Sequence, residues 1–103
     1  MKTLIVLFRL KPGAAVSAYE AWARSTDLPI VRGLPSVEGF EVFRTAGLLG
    51  SEARPPYDYV EMIGIRDTAQ FGIDVATETM RRVAGEFRNF ADSPIFMLTD
   101  RIS

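Results

Sequence analysis

Five residues able to do chemistry fall on alternate positions of apolar stretches: Arg9, Glu41, Tyr57, Tyr59 and Glu61. Successive side chains of an extended chain point to opposite faces, so within each stretch these odd-numbered residues share one side. If the connection between the second and third stretches centres near Ser51, Glu41 stands opposite Glu61. Arg44 and Asp58 then oppose each other on the other face. Two carboxyls facing each other in a cleft of low dielectric cannot both ionise cheaply. One keeps its proton and can serve as a general acid or base near neutral pH. Glu61 and Glu41 are the candidate proton-transfer pair, and the Tyr59 hydroxyl is placed to orient a substrate carbonyl or phenol. Arg9, beside Tyr57 and Tyr59 if the first and third stretches are antiparallel neighbours, would hold an anionic substrate. The competing reading leaves Glu41 and Glu61 partly exposed, or pairs them with Arg9 or Arg44 at the dimer seam, because structural ion pairs also produce such clusters.

Tyr19 and Trp22 add an aromatic pair at helical i, i+3 spacing. They either floor an aromatic pocket, with Tyr19 and Trp22 touching substrate, or pack a helix on a sheet. Thr26, Asp27 and Arg32 cluster around a break between two short helices and could form the mouth of a cleft, although helix capping alone explains Asp27.

The elements that must position these groups follow from periodicity. Thr3 to Leu10 is β-branched, aromatic and almost continuously apolar, which predicts a strand buried on both faces. Ser17 and Glu20 have the spacing of a capping box opening a helix. Asp27-Leu28-Pro29 reads as a second helix start, ended by Gly33. Ser36 to Leu49 reads as a second strand, with Gly39 as a bulge. Tyr57 to Ile65 reads as a third. Asp67 and Gln70 form a second capping box, before one long helix to about Phe90. Asp92-Ser93-Pro94 stops that helix, and Ile95 to Leu98 is a last strand. The order β-α-β-β-α-β is the ferredoxin-like α+β arrangement with a four-stranded antiparallel sheet, in a single domain spanning residues 1–103. The helices cover one sheet face. Apolar residues also lie on the other, so a homodimer formed through that face is expected.

Composition removes many catalytic toolkits. Among 103 residues there is no cysteine and no histidine. Disulfides, thiolate nucleophiles, Ser-His-Asp triads and almost all transition-metal sites are therefore out of reach. No metal and no cofactor is expected, and any metal would be a hard ion on carboxylates. A sequence pI of about 5.4 argues against nucleic acid, which needs a basic face. No apolar run is long enough for a membrane span, and Arg9 cuts short the run after Lys2 that could imitate a secretory signal. A cytoplasmic location is expected.

Several stretches together resemble the RedY-like family of the dimeric α+β barrel superfamily. They are Met1 to Gly13, Tyr19-Glu20-Ala21-Trp22-Ala23, Asp27-Leu28-Pro29, Val31 to Leu34, Ser36 to Phe40, Phe43-Arg44-Thr45, Gly47 to Ser51 and Pro55-Pro56-Tyr57. The resemblance implies a dimeric α+β barrel and a link to bacterial pigments of the prodigiosin type. It further implies a cleft between helices and sheet for a small apolar or aromatic molecule. The wider superfamily includes cofactor-independent monooxygenases, cyclases and isomerases, many with a histidine in the cleft that this chain lacks. The expected function is a small-molecule tailoring enzyme or pathway factor of bacterial secondary metabolism. The alternative is a non-catalytic binding or accessory dimer.

Overall fold

The computed structural model describes all residues from Met1 to Ser103. Four strands form one antiparallel sheet: β1 (Lys2–Leu10), β2 (Val37–Arg44), β3 (Tyr59–Ile65) and β4 (Ala91–Asp100), in the order β2-β3-β1-β4. The helices are α1 (Val16–Trp22), α2 (Leu28–Arg32), α3 (Thr68–Asp74) and α4 (Glu78–Phe90). This is the α+β order expected from periodicity, with β1 and β3 at the centre because the helical connection from β1 to β2 passes over β3 and that from β3 to β4 passes over β1.

Alternation sorts the sheet into two faces. Val6 and Phe8 of β1, Phe40 of β2, and Tyr59, Ile63 and Ile65 of β3 are buried towards the helices. They form two apolar clusters. One joins Val6, Phe8 and Tyr59 to Tyr19, Ala23, Phe87 and Ala91; the other joins Phe40, Ile63 and Ile65 to Val31 and Val37. The opposite face is not covered within the chain. Ile5 and Leu7 are only half-buried, and Phe43, Met62, Ile95 and Met97 are exposed. The doubly buried first strand is thus realised on one side only in the single chain.

Several local expectations change. The first helix begins at Val16 with Ala15 as its N-cap and no side-chain cap bond, so Ser17 caps nothing. Glu20 instead reaches the sheet: its carboxylate accepts from the Tyr59 hydroxyl at 2.7 Å and from Arg44 at 2.7 Å. There is no break before α2. The helix runs on through a π-helical turn, Ala23–Asp27, and Asp27 makes no cap bond. Gly33 ends α2 as expected.

The second long helix is two. Asp67 caps α3, accepting from the backbone N–H groups of Ala69 and Gln70. Thr77 then caps a new helix, accepting from that of Met80. Gln70 does not complete the capping box, because its amide donates to Asp74 at 2.7 Å. The chain at Asp92-Ser93-Pro94 is strand rather than loop. Its pairing with β1 shifts register between Leu7 and Arg9, and Ser93 takes a left-handed φ of 47°. An edge strand tolerates such a bulge and the adjoining proline, since its outer N–H groups are unpaired. The Gly39 bulge is present as a register shift between Val37 and Gly39.

Candidate functional site

The register between β2 and β3 decides which carboxyls meet. Glu41 pairs with Met62, and Glu61 pairs with Val42 on one side and Val6 on the other. The expected pair of Glu41 and Glu61 is therefore not formed. Pairing lies one residue away from a turn centred at Ser51, and one residue moves a side chain to the other face. Glu41 is exposed on the uncovered face, beside Met62, Gly64 and Arg101. Arg44 likewise pairs across the strands with Tyr59, not Asp58, and its guanidinium goes to Glu20. Asp58 accepts from the backbone N–H of Leu10 at 2.9 Å.

Glu61 lies on the helix face, 4% exposed, in a cavity of about 360 Å³ between the two apolar clusters. The carboxyl that joins it there is Asp27, 6% exposed. Tyr19, Ala23 and Asp27 follow one another at four-residue spacing and are all buried. The π turn, wider than an α turn, keeps this row on the sheet side, and π turns often sit at functional sites. Valine, isoleucine and phenylalanine side chains make up most of the wall, including Val31 and Ile63.

The electrostatics of the pair follow from that wall. Neither Asp27 nor Glu61 has an ion pair. Burial disfavours the charged form and pushes the Asp27 carboxyl up to about 7. Burial, with the charge of Asp27 added, pushes Glu61 up to about 8. The Tyr19 hydroxyl donates to Glu61 Oε2 at 3.2 Å and partly offsets the rise. Tyr19 itself is held protonated, first by burial and then by the Glu61 charge. At neutral pH the pair retains at least part of its proton complement, the condition for proton transfer in either direction. No group of three carboxylates converges anywhere in the chain, as a metal ion would need.

The other predicted residues are dispersed. Tyr59 packs its ring on Phe8, with centroids 5.4 Å apart, and on Tyr19 at 4.6 Å. Its hydroxyl points away from the cavity to Glu20, where burial and that carboxylate hold it protonated. Trp22 packs against Phe87 and Phe90, and its indole N–H donates to Glu86 at 2.8 Å, the helix-packing role. Arg9 and Tyr57 share a shallow depression on the uncovered side, where the Arg9 guanidinium donates to the Pro56 carbonyl. Arg9 is thus beside Tyr57 as expected, but across the sheet from Tyr59. Tyr57 precedes β3 rather than starting it.

Asp27 is expected from the sequence as a helix cap or as part of a cleft mouth with Thr26 and Arg32, not as the carboxyl that joins Glu61. Its place on the apolar row Tyr19, Ala23, Asp27 was the available signal.

The comparisons agree with this architecture. HapK from Hahella chejuensis has a solved structure that matches 100% of this chain and 95% of its own, at 33% identity and a TM-score of 0.77. SnoaB, a cofactor-independent oxygenase from Streptomyces nogalater, matches 99% and 93% of the two chains at 16% identity and TM-score 0.77. A dimeric ferredoxin-like protein of unknown function from Thermobifida fusca matches 97% and 90% at 15% identity and TM-score 0.76. These last two show a shared fold. No curated protein sequence matches the chain. The family described as REDY-like protein HapK matches residues 2–102, and with the 33% identity to HapK this establishes that the chain belongs to that family.

Proposed function

We propose that this protein is a general acid–base enzyme tailoring a small apolar or aromatic intermediate of bacterial secondary metabolism, with Glu61 as acid and Asp27 as base. The observation that carries this reading is two carboxyls, each more than nine-tenths buried, in one apolar cavity where neither has an ion pair. Burying ionisable groups so is costly, and sites that tune a pair of carboxyls upward are suited to moving protons at neutral pH. Glu61, the more strongly raised, keeps its proton and donates it; Asp27, the more readily ionised, accepts one. Tyr19 holds Glu61 in place. The chain has no histidine or cysteine to take these roles. Membership of the RedY-like family, whose resemblance implies a link to bacterial pigments, supports the assignment to secondary metabolism, and the fold is shared with a cofactor-independent oxygenase. The exposed outer face of the sheet supports a homodimer.

Ring opening of 5-nitrobenzisoxazole tests the pair, because that reaction needs only an apolar pocket and a base. The rate should rise with pH through about 7, and the Asp27→Asn/Glu61→Gln double variant should be at least about tenfold slower, below the usual scale for a positioned acid or base because the probe is not the natural substrate. A folded double variant as fast as the parent would sink the catalytic reading. It would favour the alternative, a binding or accessory dimer that uses the same cavity without proton transfer.

A further inference from the structure

The cavity is unbalanced in both charge and hydrogen bonding. Asp27 and Glu61 bring four carboxyl oxygens, and the donor that reaches either carboxyl from another residue is the Tyr19 hydroxyl, which takes one oxygen of Glu61. The Asp27 carboxyl has no cap bond and no ion pair, and desolvation acts on it unopposed. A buried polar group is normally satisfied, and one left open towards a cavity points to what the cavity is built to receive. The charged groups around the space are few. Asp27 comes from the π turn and Glu61 from β3, Tyr19 approaches Glu61 from α1, and Arg88 of α4 stands exposed at the wall without an ion pair. The residues that β1, β2, β4, α2 and α3 contribute to the wall are all apolar.

We propose that the ligand of this cavity is an apolar molecule carrying a basic nitrogen, an amine or a protonatable N-heterocycle, with the nitrogen seated against Asp27 and Glu61. This deepens the acid–base reading and rests on its choice of site. A protonated nitrogen supplies what the pair lacks: a charge of opposite sign and N–H donors for the open oxygens. Charge-assisted bonds of this kind are the stronger class, and more so where water is excluded. The hydrocarbon body of the ligand would cover Val31, Ile63 and Phe87, which line the same space. A cavity of about 360 Å³ lies at the small end of the range for ligand pockets, which suits a one- or two-ring molecule. An anionic ligand would place like charge on the pair, and a neutral hydrocarbon would leave it unpaired.

Binding is measured by calorimetry on the full chain with three probes of similar size: phenethylamine, phenethyl alcohol and 3-phenylpropionate. At about pH 8 phenethylamine should bind about tenfold more tightly than the alcohol, the scale of a hydrogen bond to a charged group, and the propionate should bind weakest. Lowering the pH to about 5.5 should erase the preference for the amine, because the carboxyls are then protonated and can bind a cation only by releasing protons. Repeating the titration in buffers of different ionisation heat should reveal that release near neutral pH. In Asp27→Asn the amine should lose its advantage over the alcohol. Equal or tighter binding of the alcohol or the propionate by the parent protein at about pH 8 would overturn the proposal. If the ring-opening activity persists in that case, the acid–base reading stands and only the ligand class falls. Should ring opening fail while the amine preference holds, the cavity is a cation-binding site without proton transfer.

Discussion

A carboxyl in the middle of β3, between two valines, makes stability depend on pH in a direction opposite to that of an ion-paired acid. Glu61 is raised to about 8 in the folded chain, against about 4.3 for an unperturbed glutamate. Between those values the folded state holds the extra proton. Stability is therefore greatest below the unfolded value and falls as pH rises through the folded one. Asp27, raised to about 7, acts in the same sense. Melting temperatures taken between about pH 5 and pH 8.5 should decline for the parent protein. In Glu61→Gln the decline should shrink by several degrees, given roughly 4–8 °C per kcal/mol for a domain near this size. An equal decline in both proteins would remove Glu61 as the source. The same residue shows how sequence and structure divide the work. A glutamate at an alternating position inside an apolar strand is visible in the chain as a group in need of a partner. Its partner is not visible, because Asp27 is 34 positions earlier and on another element.

At the scale of elements, capping chemistry separates two hydroxyl residues that stand at helix starts. Thr77 accepts from the backbone N–H of Met80 and starts α4, whereas Ser17 makes no cap bond in α1. Thr77→Ala should lower stability by about 1 kcal/mol, the usual cost of a lost N-cap, and Ser17→Ala should leave it nearly unchanged. Equal losses in denaturant titrations of the two variants would contradict the assignment. The reason Ser17 is not used lies in tertiary contacts. Glu20, the other half of that capping box, is drawn to the sheet by Tyr59 and Arg44, with Arg24 also at 3.4 Å. Those bonds hold its carboxyl below the usual range, the Tyr59 hydroxyl first among the causes. Local preference of a serine for a cap is worth less than two charge-assisted bonds at a helix-to-sheet contact.

For the whole molecule, the open question is the uncovered sheet face. Phe43, Met62, Ile95 and Met97 are each about 40–46% exposed on it, and Ile5 and Leu7 lie between them across the register. A contiguous apolar patch of this kind calls for a partner, and a second copy presents the same patch about a twofold axis. Sedimentation at low micromolar concentration should give twice the chain mass of 11.4 kDa. A charge placed at the centre of the face, Met62→Lys, should shift the protein to monomer while the helix-side core stays intact. A monomeric parent protein under those conditions would contradict the dimer. No helix of the chain is long and apolar enough to cross a membrane.

The sequence by itself determined the four strands and the helical connections between them, their order, the α+β class and the family, because periods of two and 3.6 residues are local properties and the matching stretches run through nearly the whole chain. It also located Glu61 as a buried acid and Tyr19 as a hydroxyl needing a partner. What tertiary structure decided was every pairing between elements. A one-residue offset in the register of β2 against β3 sent Glu41 to the outer face. A π turn kept Asp27 on the inner side of its helix, opposite the sheet. The inner side of β3 and the Tyr19–Asp27 row meet only when the helix packs on the sheet. The acid pair therefore belongs to the packing, where burial raises both carboxyls, and not to any segment of the chain.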